Sequence, residues 1–309
     1  MIGRIATIDL GTNTVRILVA EAGEKGFEPM FSDQAITRLG EGLHQTGRLG
    51  PEAMKRTVSA VARMINNAEK FRPFDLRVYA TSAARDAGNT KTLAAMLYKA
   101  TGANLTVISW KEEARLSLEG ARLVVGREAA EFILFDIGGG STEYIHSFAD
   151  GGMKGHGTDL GVVRLSETYI TKHPVSNAEY QQMLGEIEEK VDIAFNEIEA
   201  TGEETIVGTA GTVTSLAAMA LGLTEYSRMK VNNYRLTADK IETLRIKLFA
   251  MTIEERSRIS SLSHGREDLI VPGIAIIQAT LKRACATLLT VSDFGMREGM
   301  IVDMLHGGG

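Results

Sequence analysis

The chain carries one kind of turn twice. Asp9-Leu10-Gly11-Thr12-Asn13-Thr14 lies near the start and Asp136-Ile137-Gly138-Gly139-Gly140-Ser141-Thr142-Glu143 near the middle, each between two apolar runs of strand character. Such a turn can hold phosphate, because glycine lets backbone N–H groups approach anionic oxygens, hydroxyls donate further hydrogen bonds, and an aspartate takes Mg²⁺ directly or through water. One acid-Gly-Thr turn alone reads more simply as polar hairpin punctuation. The second copy reverses that reading, since the run Gly138-Gly139-Gly140 is conformationally costly for turn-making and suits a backbone cradle. Asp9 and Asp136, each at a strand end, would approach one Mg²⁺ from opposite sides, with turn capping as their alternative role.

The strand and helix periodicities repeat around these turns. Arg4 to Leu10, Val15 to Ala22 and Phe27 to Thr37 read as an antiparallel meander, with a Gly23-Glu24-Lys25-Gly26 turn between the last two. A helix from Pro51 to Phe71, a strand from Leu76 to Ala80, a helix from Ala83 to Lys99, a strand from Leu105 to Ile108 and a helix from Glu112 to Val125 follow. The second half restarts with strands at Glu131 to Asp136, Glu143 to Phe148 and Gly152 to Gly157, then helices from Val162 and Asn177 and the strand Glu204 to Val207. Helices from Thr212, Thr237 and Gly265, the strand Ala286 to Val291 and a helix from Met296 complete it. The pattern predicts an α/β protein of two related domains facing a cleft, 1–125 and 126–309, joined near Val125 to Ala130, with the last helix free to pack back on the first domain. Gly307-Gly308-Gly309 is expected to fray.

Composition bounds the function. With 309 residues and 44% hydrophobic content the chain can bury a substantial core. A net charge of −5 argues against broad affinity for nucleic acid or acidic membranes, while leaving room for a local basic cleft. No stretch near the start has the continuous apolar core of a signal peptide or membrane span, and a lone cysteine, Cys285, excludes a disulfide framework and is expected as a buried thiol, so a cytoplasmic location is expected. Nothing in the sequence chooses an oligomeric state, and a homodimer is left open.

Further residues carry chemistry or its bland alternative. Arg85 follows a strand in Ala80-Thr81-Ser82-Ala83-Ala84-Arg85-Asp86, where Thr81 or Ser82 can cap a helix and Arg85 in its first turn can share an anion with the exposed N–H groups. Gly208-Thr209-Ala210-Gly211-Thr212-Val213-Thr214 is another strand-to-helix turn, suited equally to phosphate, through Gly211 and Thr212, or to tight packing. Ser109-Trp110-Lys111-Glu112 has the spacing of a capping box, which occupies Glu112 and leaves Glu113 either on a solvated face or turned into the cleft to act on water. Glu143 is either a surface strand residue or, more in keeping with its place beside the cradle, a carboxylate turned into the cleft. Arg297-Glu298 reads as a surface ion pair, Glu186 to Lys190 as a solvated helical face, and Met54, Met64, Met96, Met183 and Met219 as packing. The six histidines have no metal-ligand spacing, and none is assigned to a metal.

Together these motifs resemble the exopolyphosphatase and guanosine pentaphosphate phosphohydrolase family of the ribonuclease H-like, actin-like ATPase superfamily, almost end to end. Asp9 to Thr14 with Arg16 resembles its first phosphate motif, Ala80 to Asn89 its T-S-A-x-R-D-A-x-N segment, and Ser109 to Gly120 its acidic helix. Asp136 to Glu143 matches D-I-G-G-G-S-T-E at every position, and Gly208 to Thr214 and Gly295 to Gly299 resemble later motifs. The resemblance implies two actin-like domains with mixed sheets around a central cleft. It implies Glu113 as catalytic base, Glu143 as a residue that positions water, and Asp9 and Asp136 as metal ligands. Arg85 would hold the terminal phosphate, with Thr12, Asn13, Gly139, Gly140, Ser141 and Thr142 around the chain. Trp110 stands where the family commonly has glycine, which would narrow the cleft mouth, and the chain ends where longer members continue into a helical domain.

The reaction expected is Mg²⁺-dependent release of terminal orthophosphate from inorganic polyphosphate or guanosine pentaphosphate, between which the motifs do not choose. An ATP-dependent small-molecule kinase and a non-catalytic nucleotide or alarmone sensor on the same scaffold are the alternatives. The kinase needs adenosine and acceptor sites that no motif supplies, and intact Glu113 and Glu143 argue against the sensor.

Overall fold

The computed structural model of the protein describes residues 3–23, 26–72, 74–126 and 131–307. By contacts the chain divides into two compact units, one of residues up to Gly120 with those from Met296 onward, the other of Ala121–Gly295. Glu24 and Lys25 of the expected turn, residues 127–130 of the expected join and Gly308-Gly309 lie outside the described residues.

The first unit is built on a five-stranded mixed sheet. Strands β1 (Arg4–Leu10), β2 (Thr14–Gly23), β3 (Gly26–Ile36), β4 (Phe74–Ala80) and β5 (Leu105–Val107) lie in the order β3-β2-β1-β4-β5. β1 pairs antiparallel with β2 and parallel with β4, and β4 parallel with β5. Strand alternation divides the apolar residues between two faces. Ala6, Ile8, Leu10, Val15, Ile17 and Val19 share a core with Val58, Val61, Met64 and Ile65 of the helix Pro51–Ala68. Ile5, Leu18 and Ala20 pack against Ile301 of the helix Met296–Leu305.

The second unit repeats the plan with an extra strand. β6 (Phe132–Ile137), β7 (Thr142–Ser147), β8 (Met153–Thr158), β9 (Thr205–Thr209), β10 (Arg235–Thr237) and β11 (Leu288–Val291) form a six-stranded sheet ordered β10-β11-β9-β6-β7-β8. The run β8-β7-β6-β9-β11 has the directions of β3-β2-β1-β4-β5, so both sheets carry the expected ribonuclease H-like order. Ile133, Phe135 and Ile137 share a core with Met183, Ile187 and Val191 of the helix Asn177–Glu197 and with Ile274 and Ile277 of the helix Ile270–Arg283. Among the described residues no helix is long and apolar enough to cross a membrane.

Several local expectations fail for tertiary reasons. The helix expected over Ala83 to Lys99 is two, Ser82–Asp86 and Thr90–Thr101, so Arg85 sits at the end of a single turn rather than at the start of a long helix. Asn89 breaks it: its amide brackets the Leu49 backbone at 2.9 and 3.0 Å, and Gly88 N donates to Gly47 O at 3.0 Å. The helix Trp110–Val125 begins with only half of a capping box. Ser109 Oγ accepts from Glu112 N at 3.2 Å, but the Glu112 carboxylate pairs with both Nε and Nη2 of Arg115, where a charged fork outcompetes a backbone donor.

Three burial expectations also change. Cys285 is exposed, in the left-handed turn (φ 50) that follows the helix Ile270–Arg283. Glu186 and Lys190 are half-buried and joined to Asp159 and Tyr169 in an ion network rather than solvated. Arg297 and Glu298 are an ion pair, as expected, but a buried one, 8% and 2% exposed.

Candidate active site

Both glycine turns close in the same way. Gly11 N donates to Thr14 O at 3.1 Å, and Gly138 N to Ser141 O at 2.8 Å. A Cβ at Gly11 or Gly138 would stand 3.1 or 3.0 Å from those same carbonyl oxygens, so a side chain at either place would crowd the turn. Asp9 lies opposite Arg16 across the β1-β2 pair, and Asp136 lies opposite Glu143 across β6-β7. One repeat thus carries a cation where the other carries an acid; Arg16 Nη1 stands 3.8 Å from Asp9 Oδ2.

The polarity of the turns follows from where their carbonyls are tied. In a trans peptide the N–H points opposite to the preceding C=O. Gly138 O accepts from Val162 N at 3.1 Å and Gly139 O from Val163 N at 2.9 Å, both at the start of the helix Val162–Tyr169, so the N–H groups of Gly139 and Gly140 are directed away from that helix. In the first turn Thr12 O accepts from Gly40 N at 2.9 Å, which turns Asn13 N–H the other way. Gly161 makes the second arrangement possible: a Cβ there would be 2.2 Å from the Gly140 carbonyl carbon and 2.3 Å from Gly139 O.

In the first unit the carboxyl ends of β1, β4 and β5 line up, since Leu10 is in register with Ala80 and Ala80 with Val107. Ligands of α/β sheets bind beyond such strand ends. Thr12 reaches from the turn to the next element, its hydroxyl accepting from Ala83 N at 3.2 Å, and it, not Thr81 or Ser82, caps the helix that carries Arg85. Arg85 Nη1 donates to Glu113 Oε2 at 2.5 Å and to Ile108 O at 3.3 Å. Asn13 is buried with its Oδ1 lacking a hydrogen-bond partner.

In the second unit Ser141 Oγ donates to Glu143 Oε1 at 2.7 Å, both residues being buried. The Thr142 hydroxyl donates to Leu160 O, so its proton serves the interior of the unit. β9 brings Thr209 into register with Asp136. The following residue, Ala210, has φ 75 and ψ −178, a region almost reserved for glycine, and such outliers gather at functional sites. Gly211 then starts the helix Gly211–Ala220, where a Cβ would fall 1.0 Å from Arg266 Nη1. Thr212 packs against Gly273, where a Cβ would lie 2.4 Å from its Oγ1. Arg266 and Gly161 were not singled out in the sequence, because neither belongs to a motif and each acts on a glycine distant in the chain.

Asp9 and Asp136 are each a half-buried carboxylate at the end of its own strand, beside a glycine turn that a Cβ would crowd, and oxygen is the donor that hard cations take.

Comparison with known proteins gives the family. The model of the Ppx/GppA phosphatase family matches residues 18–307. Exopolyphosphatase 2 of Mycobacterium tuberculosis is 32% identical over 315 aligned positions covering 97% of this chain and 98% of that protein. Among solved structures, an exopolyphosphatase-like protein superposes with a TM-score of 0.91 at 30% identity, covering 98% of this chain and 97% of that chain. The Aquifex aeolicus member of the Ppx/GppA family superposes with a TM-score of 0.83 at 27% identity, covering 99% and 98%. A match that runs through Arg85, Glu113, the second glycine turn and the terminal helix leaves one assignment: the chain belongs to the Ppx/GppA phosphatase family.

Proposed function

We propose that the protein hydrolyses the terminal phosphoanhydride bond of inorganic polyphosphate, releasing orthophosphate. The observation that carries this reading is the pair of equivalent glycine turns, together with two enclosed carboxylates each held by another side chain: Glu113 by Arg85, Glu143 by Ser141. The near full-length relatives whose names denote exopolyphosphatases support the substrate.

In the proposed reaction each turn binds phosphate oxygens. The N–H groups of Asn13, Gly139 and Gly140 hydrogen-bond phosphate oxygens, and Arg85 neutralises the terminal phosphate. Gly211 and Thr212, beside Arg266, offer a further contact to the chain. Glu143 orients the attacking water and Glu113 takes its proton. As the new O–P bond forms the bridging P–O bond breaks, the electron pair leaving with the shortened chain. Asp9 and Asp136 are each a carboxylate that would hold Mg²⁺, which would offset the negative charge on the phosphate oxygens. Thr142 supports the turn from behind through Leu160.

The test is phosphate release from polyphosphates of several lengths, guanosine pentaphosphate and ATP, with and without Mg²⁺. Mg²⁺-dependent release from polyphosphate is expected. Turnover of ATP only with an added acceptor, and none of polyphosphate, would replace this reading with a kinase.

A further inference from the structure

At the ends of β6, β7 and β9 away from the phosphate turn, three side chains converge. Glu131 immediately precedes β6, His146 is the penultimate residue of β7, and Glu204 immediately precedes β9. His146 Nε2 stands 2.7 Å from Glu131 Oε1 and 3.6 Å from Glu204 Oε1, and one ligand atom from each of the three lies within 4.8 Å of the others. The imidazole and the Glu204 side chain are buried, at 1% and 2% exposure, while Glu131 at 43% leaves a way in from solvent.

The other ring nitrogen determines what His146 offers. Nδ1 lies 2.9 Å from Ile198 O, and a carbonyl oxygen only accepts, so Nδ1 carries a proton. In the neutral ring Nε2 then presents its lone pair to two carboxylate oxygens, which is repulsive unless a cation sits among them. A histidine pinned through its second nitrogen by a backbone carbonyl is also the usual setting of a metal ligand. Glu204 is held just as firmly: Oε1 accepts from Thr201 N and Oγ1 at 2.6 and 2.9 Å, and Oε2 from Gly202 N at 2.8 Å. Phe148 covers one side of the imidazole, ring centroids 4.2 Å apart.

We infer that Glu131, His146 and Glu204 form a metal site for a zinc-class divalent ion, separate from the proposed Mg²⁺ ligands. With bonds of about 2.0 to 2.1 Å, two ligands of one zinc ion lie roughly 2.9 to 3.4 Å apart between octahedral and tetrahedral angles. The observed 2.7 and 3.6 Å fall just outside that range at either end, so closing on an ion takes side-chain shifts of a few tenths of an ångström, on the order of the difference from these bond lengths. An imidazole with two carboxylates suits zinc, whereas magnesium prefers oxygen ligands and retained waters. The ion ties the starts of β6 and β9 to the end of β7, and its role is to brace the sheet.

The test uses the full chain stripped with a chelator, titrated with Zn²⁺ by calorimetry and with Co²⁺ as an optical probe. One ion per chain is expected to give a visible Co²⁺ band, and Zn²⁺ at 100 times its Kd should raise the unfolding midpoint by about 5 °C or more. Both signals should vanish in His146→Gln and Glu131→Gln and persist in Asp136→Asn. Glu131→Gln alters a partly exposed side chain and keeps the test informative if the buried variant fails to fold. Absence of tight binding, or binding by Glu131→Gln equal to that of the unaltered protein, would overturn the site and leave a proton as the cation that joins the three.

Discussion

Arg85 and Glu113, 28 residues apart, meet at 2.5 Å between guanidinium and carboxylate. One is the penultimate residue of the single helical turn after β4, and the other stands in the first turn of the helix after β5, so the parallel register of these strands creates the contact. Both side chains are largely enclosed, 19% and 13% exposed, which strengthens the pair relative to one in water. The proposed chemistry gives each a separate task, anion for Arg85 and water for Glu113, with each holding the other in place.

Coupling between the two follows. Glu113→Gln should lower kcat by about 10² to 10⁴-fold, with the unfolding midpoint nearly unchanged. Arg85→Gln should raise KM as well. Steady-state kinetics of the double variant should show a loss smaller than the product of the single losses, by roughly 0.5 to 3 kcal/mol. Fully multiplicative losses would mean that the two act independently.

Gly161→Ala tests the support behind the second turn. The added Cβ would lie 2.2 to 2.3 Å from atoms of Gly139 and Gly140, so the turn must shift. A displacement of about 1 Å should reduce kcat/KM by about 100-fold while the protein still folds. Kinetics beside a circular dichroism melt separate these effects, and unaltered kcat/KM would detach the turn from substrate.

The Arg297-Glu298 pair anchors the terminal helix. Nε and Nη2 of Arg297 both donate to Glu298 Oε1, while Nη1 donates to Ser32 Oγ at 3.0 Å and Ile17 O at 3.4 Å. Arg297→Met removes the guanidinium from a buried carboxylate and should cost about 3 to 5 kcal/mol in denaturant unfolding. A change typical of exposed pairs, under about 1 kcal/mol, would contradict the burial.

Acid should act on the cap of the helix Asn177–Glu197. The hydroxyls of Ser176 and Thr171, then their backbone N–H groups, hold the Glu179 carboxyl down at about 2 from 4.5. A depressed carboxylate contributes stability above its unfolded value and loses it as the pH falls through the folded value. The stability gap between the unaltered protein and Glu179→Gln should therefore be constant above pH 4.5 and close between 4.5 and about 2. Unfolding curves across that range check the sign; a gap that widens on acidification would reverse it.

Much of the architecture was legible in the sequence because it is encoded locally. Strand alternation and glycine-acid punctuation placed the two turns, and β1 was expected over the residues it occupies. Breaks set by distant partners were not legible. Asn89 interrupts a helical pattern because Leu49 receives its amide, and the Thr12 hydroxyl caps a helix 71 residues away.

The candidate site divides in the same way. By itself the sequence determined that two turns with aspartate, glycine and hydroxyls recur, since backbone freedom and donor chemistry reside in the residues themselves. Only the tertiary structure decided how those groups are used: Glu113 against Arg85, the Thr142 hydroxyl turned inward, Arg266 against Gly211, and His146 between Glu131 and Glu204. The physical reason is that charge pairing, burial and lone-pair direction depend on atoms within a few ångströms, and the strand register brings those atoms from parts of the chain with no local sign of one another.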